Sequence, residues 1–250
     1  MERSRPCALW FVIATLLPAA APCRADEGFR EKFIAGMIGG YAKGMPPNAP
    51  NMVEILASRF PADLTPLLDD LESKKPLDAG SARTRIAEII NTILARDVAR
   101  LATAPDASLE AVFAAHSALI RSLSDTPEAC RSLLFPDAPT PPLTQQSTQL
   151  AKVRLSEAFI AMADGRDTPV APRRVATDAD YLAYATKAQA AGFDVESCRV
   201  HSADRVRGAD AKQLCHALES STEATIAAEG ELGEVIRADQ ISGMVPTGAK

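Results

Sequence analysis

The chain is poor in aromatic residues: its 250 residues include 8 Phe, 3 Tyr and 1 Trp, or 5% in all. Sugar-binding and base-stacking surfaces are built on aromatic platforms, so neither is expected. Basic residues are not in excess either. Lys and Arg number 27 against 32 Asp and Glu, a net charge of −5, where a nucleic-acid partner would want a basic face. There are 3 histidines and no catalytic signature. H-E-x-x-H, G-x-S-x-G, G-x-x-x-x-G-K-S/T, G-x-G-x-x-G and S-x-x-K are all missing, and no serine stands in a nucleophile context. No stretch alternates with period two, and no repeat recurs at a fixed interval. Beyond the N-terminus no run is apolar enough to span a membrane.

What is present begins with a secretory signal. Arg3 and Arg5 form a basic start and Cys7 to Pro22 an apolar stretch broken at Pro18. Cys23-Arg24-Ala25 then places small residues at −3 and −1, so cleavage is expected after Ala25. The apolar stretch is 16 residues long, short of the roughly 20 needed to cross a bilayer. A lipoprotein reading at Cys23 is disfavoured by Pro22. Glu2, Arg3, Arg5 and Arg24 leave with residues 1–25, a net +2, which takes the mature charge from −5 to −7. That is an ordinary value for a soluble exported protein.

Alanine is abundant, and the remaining pattern is helical. Phe29, Phe33, Met37 and Tyr41 recur at steps of four between Asp26 and Gly44. Asn51 and Glu54 open a short helix to Phe60 in the manner of a capping box, and Thr65-Pro66 reads as the start of another. Ser81 to about Thr103 is one helix with Ile86, Ile89, Ile90, Ile93, Leu94, Val98 and Leu101 on its apolar face. A further helix begins at Pro105-Asp106, with His116 on its apolar stripe. His116 is read as a core histidine holding one hydrogen bond. Thr126-Pro127-Glu128 starts a short helix carrying Cys130. Pro136, Pro139, Pro141 and Pro142 form a linker that cannot be helical. Leu143 to Ala163 follows, stopped by Gly165. Arg173 and Arg174 stand in a solvated loop. Thr177 and Asp180 form a capping box that also accounts for the Asp178-x-Asp180 pair. From Ala209 to about Asp239 the pattern is helical, with Gly230 and Gly233 dividing it in two.

The expected fold is an all-α, irregular multi-helix bundle of about eight to ten helices after a cleaved signal peptide. Its organisation is signal 1–25, N-terminal helical part 26–135, linker 136–142, C-terminal helical part 143–242 and a disordered tail 243–250. Three cysteines survive cleavage: Cys130, Cys198 and Cys215. In an oxidising compartment a disulfide is the default. Cys198 with Cys215, closest in sequence, is the expected pair, and Cys130 is the alternative partner. Cys198-x-x-His201 and Cys215-His216 are the right residue types for zinc. Adjacent side chains on a helix project about 100° apart, so no metal is assigned to His201 and His216. Lys212 to His216 lacks the first cysteine of a haem-attachment run, so no cofactor is assigned. Asp69, Asp70 and Glu72 are phased as the polar face of a helix. No residue is assigned a catalytic role. The leading expectation is an exported binding or assembly protein with a protein partner. The alternative is a helical periplasmic hydrolase acting on cell-envelope glycan through carboxylates that no motif marks.

Overall fold

The computed structural model of the chain describes residues 28–73, 79–134, 141–194 and 210–244. Among them it is all-α, with ten α-helices, one 3-10 segment and no strand. The expected signal 1–25, most of the 136–142 linker and most of the C-terminal tail lie outside the described residues.

The helices follow in order as α1 (Phe29–Ala42), α2 (Met52–Arg59), α3 (Pro61–Glu72) and α4 (Ala79–Asp97). A 3-10 segment (Val98–Thr103) leads to α5 (Asp106–Ser122), α6 (Glu128–Leu134) and α7 (Gln145–Asp167). Then come α8 (Asp178–Ala190), α9 (Ala211–Ala227) and α10 (Gly230–Met244). No helix among the described residues is long and apolar enough to cross a membrane.

Local chemistry explains most of these boundaries. The Asn51 side chain accepts from Val53 N at 3.0 Å and donates to Ile38 O at 2.9 Å, so one amide caps α2 and ties it to α1. Thr177 and Asp180 form the expected capping box at the start of α8. Asp210 accepts from Lys212 N and Gln213 N at the start of α9. The expected break between the last two helices falls at residues 228–229.

Two expectations about boundaries need correcting. The helix expected to open at Thr65-Pro66 opens instead at Pro61, whose ring suits the first turn. Thr65 then lies inside it and its hydroxyl donates back to Pro61 O at 2.9 Å. Gly165 does not stop α7, which runs on to Asp167. A methyl group at this glycine would stand 2.0 Å from Arg100 O, so the bare Cα is what lets the 3-10 segment cross α7. The crossing also changes the end of α4. The continuous helix expected to reach Thr103 tightens to 3-10 after Asp97, and Thr103 binds Gly165 O (3.1 Å) through its hydroxyl and Val170 N (2.9 Å) through its carbonyl.

Helix α7 is the axis of the fold, packed against α5, α2, α4 and the 3-10 segment. Ala151, Ala158, Ala161, Ala163 and Gly165 are buried along it, and their small size allows close approach. The larger of three apolar clusters gathers Met37, Tyr41, Met52, Leu56, Phe60, Ile90, Ile93, Phe113, Phe159 and Met162, and is completed by Ala238 and Ile241 of α10. Phe60 meets Phe159 edge to face at 5.6 Å between ring centroids. A second cluster joins Leu119, Ile120 and Leu123 of α5 to Cys130, Ala151, Leu214, Cys215 and Leu218. A third seats Tyr184 and Ala188 of α8 on Val235 and Ile236 of α10. The helices on either side of the 136–142 linker thus share their cores.

Candidate functional site

The two larger clusters meet along the α5–α7 pair, the most extensive helix contact among the described residues, and the junction is polar. Arg154 of α7 shares a stripe with Ala151 of one cluster and Ala158 and Met162 of the other, and is only 7% exposed. His116 of α5 lies between Phe113 of the first cluster and Leu119 and Ile120 of the second. Arg154 makes no hydrogen bond and no ion pair among the described residues, and its nitrogens are not fully enclosed, so water reaches them. Part of His116 is accessible, yet its Nδ1 is fully enclosed and has no hydrogen-bond partner. The expected single hydrogen bond is therefore missing at that nitrogen. The Ser117 hydroxyl, next along α5, is also enclosed and unpaired.

The electrostatics match this placement. Burial, and secondarily the nearby Arg154 guanidinium, push His116 well below its usual value of 6.5, so the ring is neutral. Burial alone brings Arg154 down from 12.5 to about 10, and it stays charged at neutral pH. The outer face of α7 also carries Lys152, whose ammonium lies 4.9 Å from the centre of the Tyr41 ring. Burial pushes the Tyr41 phenol up to about 12, opposed by its contact with Ser156.

A second buried arginine shows what full satisfaction looks like. Arg237 of α10, 1% exposed, binds both Asp106 carboxylate oxygens through Nε (2.9 Å) and Nη2 (2.5 Å). Its Nη1 donates to Thr225 O (3.0 Å) and Ala228 O (2.8 Å). This pair fastens the α9–α10 corner to the first turn of α5.

The sulfurs fall differently from the expectation. Cys130 is bonded to Cys215, across 85 positions of sequence and 5.4 Å between Cα atoms. This is the alternative pairing, not Cys198 with Cys215; Cys198 and His201 lie outside the described residues. Packing of α6 on α9 brings Cys130 into the second cluster beside Cys215, and tertiary contact outweighs closeness in sequence. His216 is exposed on α9. Among the described residues no three His, Cys, Asp or Glu side chains stand close enough to hold a metal ion.

The acidic groups singled out in the sequence are held by arginines. Asp69 and Glu72 bind Arg30 of α1, each at 2.6 Å, and Asp70 binds Arg85 of α4. Asp180 chelates Arg174 at 2.6 and 2.9 Å, which together with Thr177 lowers its carboxyl below the usual range. Arg173 donates to Ala104 O at 2.9 Å, so the Arg173-Arg174 loop is fastened down and not simply solvated. On α8 the apolar residues that remain outside are Leu182 (62% exposed) and Tyr181, with Val175 (65%) in the loop before them. The Tyr181 hydroxyl donates to Asp239 of α10 at 2.7 Å, so α8 is moored by one side and shows the other.

Sequence reasoning missed Arg154, Arg237 and the crossing at Gly165. Arg154 had a usable signal, since it lies four residues before Ala158 and eight before Met162, on an otherwise apolar stripe. Compared with protein-family models, with curated proteins and with solved structures, the chain matches none.

Proposed function

We propose that the chain is an exported helical protein with a binding or assembly role, and that the exposed side of α8 meets a protein partner. The observation that carries this reading is that Val175, Tyr181 and Leu182, in and just before α8, are the large apolar side chains left exposed among the described residues. Large apolar side chains left outside on a moored, single-sided helix favour partner contact. The signal-like N-terminus and a disulfide closed over a long loop support an oxidising destination.

The test is site-specific photo-crosslinking in the producing host, with a benzophenone amino acid at Leu182 or, as control, at exposed Ala114 of α5. A discrete protein adduct from position 182, absent from 114 and lost with Val175→Arg, is expected. Identical adduct patterns at the two positions, or none at 182, would overturn the reading. The glycan-hydrolase alternative predicts instead that purified protein releases soluble fragments from cell-envelope material.

A further inference from the structure

We propose that α6 is a redox-held flap. The Cys130–Cys215 bond keeps it on α9, and a dithiol reductant opens it locally while the rest of the bundle stays folded. The inference is independent of the α8 surface and of any protein partner.

Isolated helices shorter than roughly 12 residues are marginal in water, so a short helix is held by what it buries. The two shortest helices do this differently. α2, of 8 residues, buries Met52, Val53, Ile55 and Leu56 and is tied to α1 through the Asn51 amide. α6, of 7 residues, has Ala129 and Cys130 as the fully buried side chains among those described, and Leu133 is only partly covered. An alanine offers little apolar surface to bury. The Ser132 hydroxyl turns back to Ala129 O at 2.8 Å and makes no tie to another helix. The proline-rich run that follows cannot extend the helix. What packing leaves out, the covalent bond provides. It holds Cys130 at 5.4 Å between Cα atoms from Cys215, in the apolar cluster of Leu119, Leu123, Leu214 and Leu218. The larger cluster uses neither sulfur, and the Arg237–Asp106 pair stands apart from both. Loss of the bond therefore frees α6 and the first turns of α9 and leaves the main core closed.

Cys215 keeps 8% exposure and Cys130 none, so a reductant's thiolate attacks the Cys215 sulfur. The electron pair of the S–S bond leaves on Cys130, which takes up a proton, and a mixed disulfide forms at Cys215. The reductant's second thiolate then displaces Cys215 and closes the reductant's own disulfide. Two electrons pass to the protein and two thiols replace the bond. A disulfide oxidant such as glutathione disulfide reverses the exchange.

The experiment is hydrogen–deuterium exchange of the intact chain, with and without dithiothreitol, read by mass spectrometry. On reduction, peptides covering α6 and residues 211–218 are expected to exchange at least about tenfold faster, while α2 and the centre of α7 change by less than about twofold. Glutathione disulfide should restore the protection. The double variant Cys130→Ala, Cys215→Ala should show the fast pattern without dithiothreitol and no further response to it. Exchange in α6 unchanged by reduction would overturn the proposal. So would equal acceleration in α2 and α7, or protection that glutathione disulfide does not restore. If the double variant does not fold, the unmodified chain decides.

Discussion

Replacing Arg154 with methionine should make this protein more stable in chloride buffer. Burial lowers the Arg154 guanidinium from 12.5 to about 10, and about 1.4 kcal/mol per pH unit makes the unrecovered hydration worth about 3 kcal/mol. The residue is 7% exposed, but its nitrogens are not fully enclosed, so this figure is an upper bound. Methionine is similar in volume and flexible enough to fill the space between Ala151 and Ala158. Allowing for imperfect packing, a net gain of about 2 kcal/mol is expected, within the range seen when buried ionic groups give way to apolar ones. Urea unfolding followed by far-UV circular dichroism would read this as a midpoint raised by about 1 M at unchanged slope. The matching substitution Arg237→Met should do the opposite. It strands the Asp106 carboxylate and the Thr225 and Ala228 carbonyls and is expected to lose about 3–5 kcal/mol. One substitution at two buried arginines with opposite signs isolates pairing from burial. A lowered midpoint for Arg154→Met, comparable with that of Arg237→Met, would refute the assignment of Arg154 as unpaired.

The other expectations are narrower. Gly165→Ala should destabilise by about 3 kcal/mol or more despite alanine's helix preference, because the methyl would meet Arg100 O at 2.0 Å; thermal melting reads it, and a neutral result would mean that the crossing can spread. Peptide mapping without reductant should recover Cys130 linked to Cys215, and Cys130→Ser should lose about 4–5 kcal/mol by the loop-closure relation for 85 residues. The folded His116 binds its proton less readily than the unfolded chain does. Its contribution to stability is therefore constant above about pH 6.5 and falls with decreasing pH by up to about 1.4 kcal/mol per pH unit. Subtracting a His116→Leu profile from the parent profile should expose that slope, and coincident profiles would reject it. The proposed export predicts that N-terminal sequencing of the mature chain begins at Asp26.

The helices were legible in the sequence wherever a stripe faces one core. Phe29, Met37 and Tyr41 at steps of four mark α1, and the Ile86–Ile90–Ile93–Leu94 series marks α4; all are buried as that spacing requires. Capping at Thr177 was equally legible because its chemistry is local. What was not legible depended on partners distant in the chain. The glycine at 165 carries the same sequence signature whether it ends a helix or admits a crossing backbone, and only the position of Arg100 decides. The pairing of Cys130 with Cys215 depends on α6 docking against α9, which sequence separation argues against. Arg154 and Arg237 both interrupt apolar stretches, and nothing local distinguishes the satisfied one from the unsatisfied one.

The reach of Arg237 bears on how the chain can be made. Its carboxylate partner lies 131 positions earlier, and Ala238 and Ile241 close a core that already contains Met37 and Met52. A chain emerging N-terminus first therefore presents Asp106 and an open apolar cleft until α10 is out. Partial chains lack both the latch and the last surface of the core, so cooperative closure is deferred to the final helix. Under the proposed export, that deferral would keep the segment in transit extensible and leave folding to the far side.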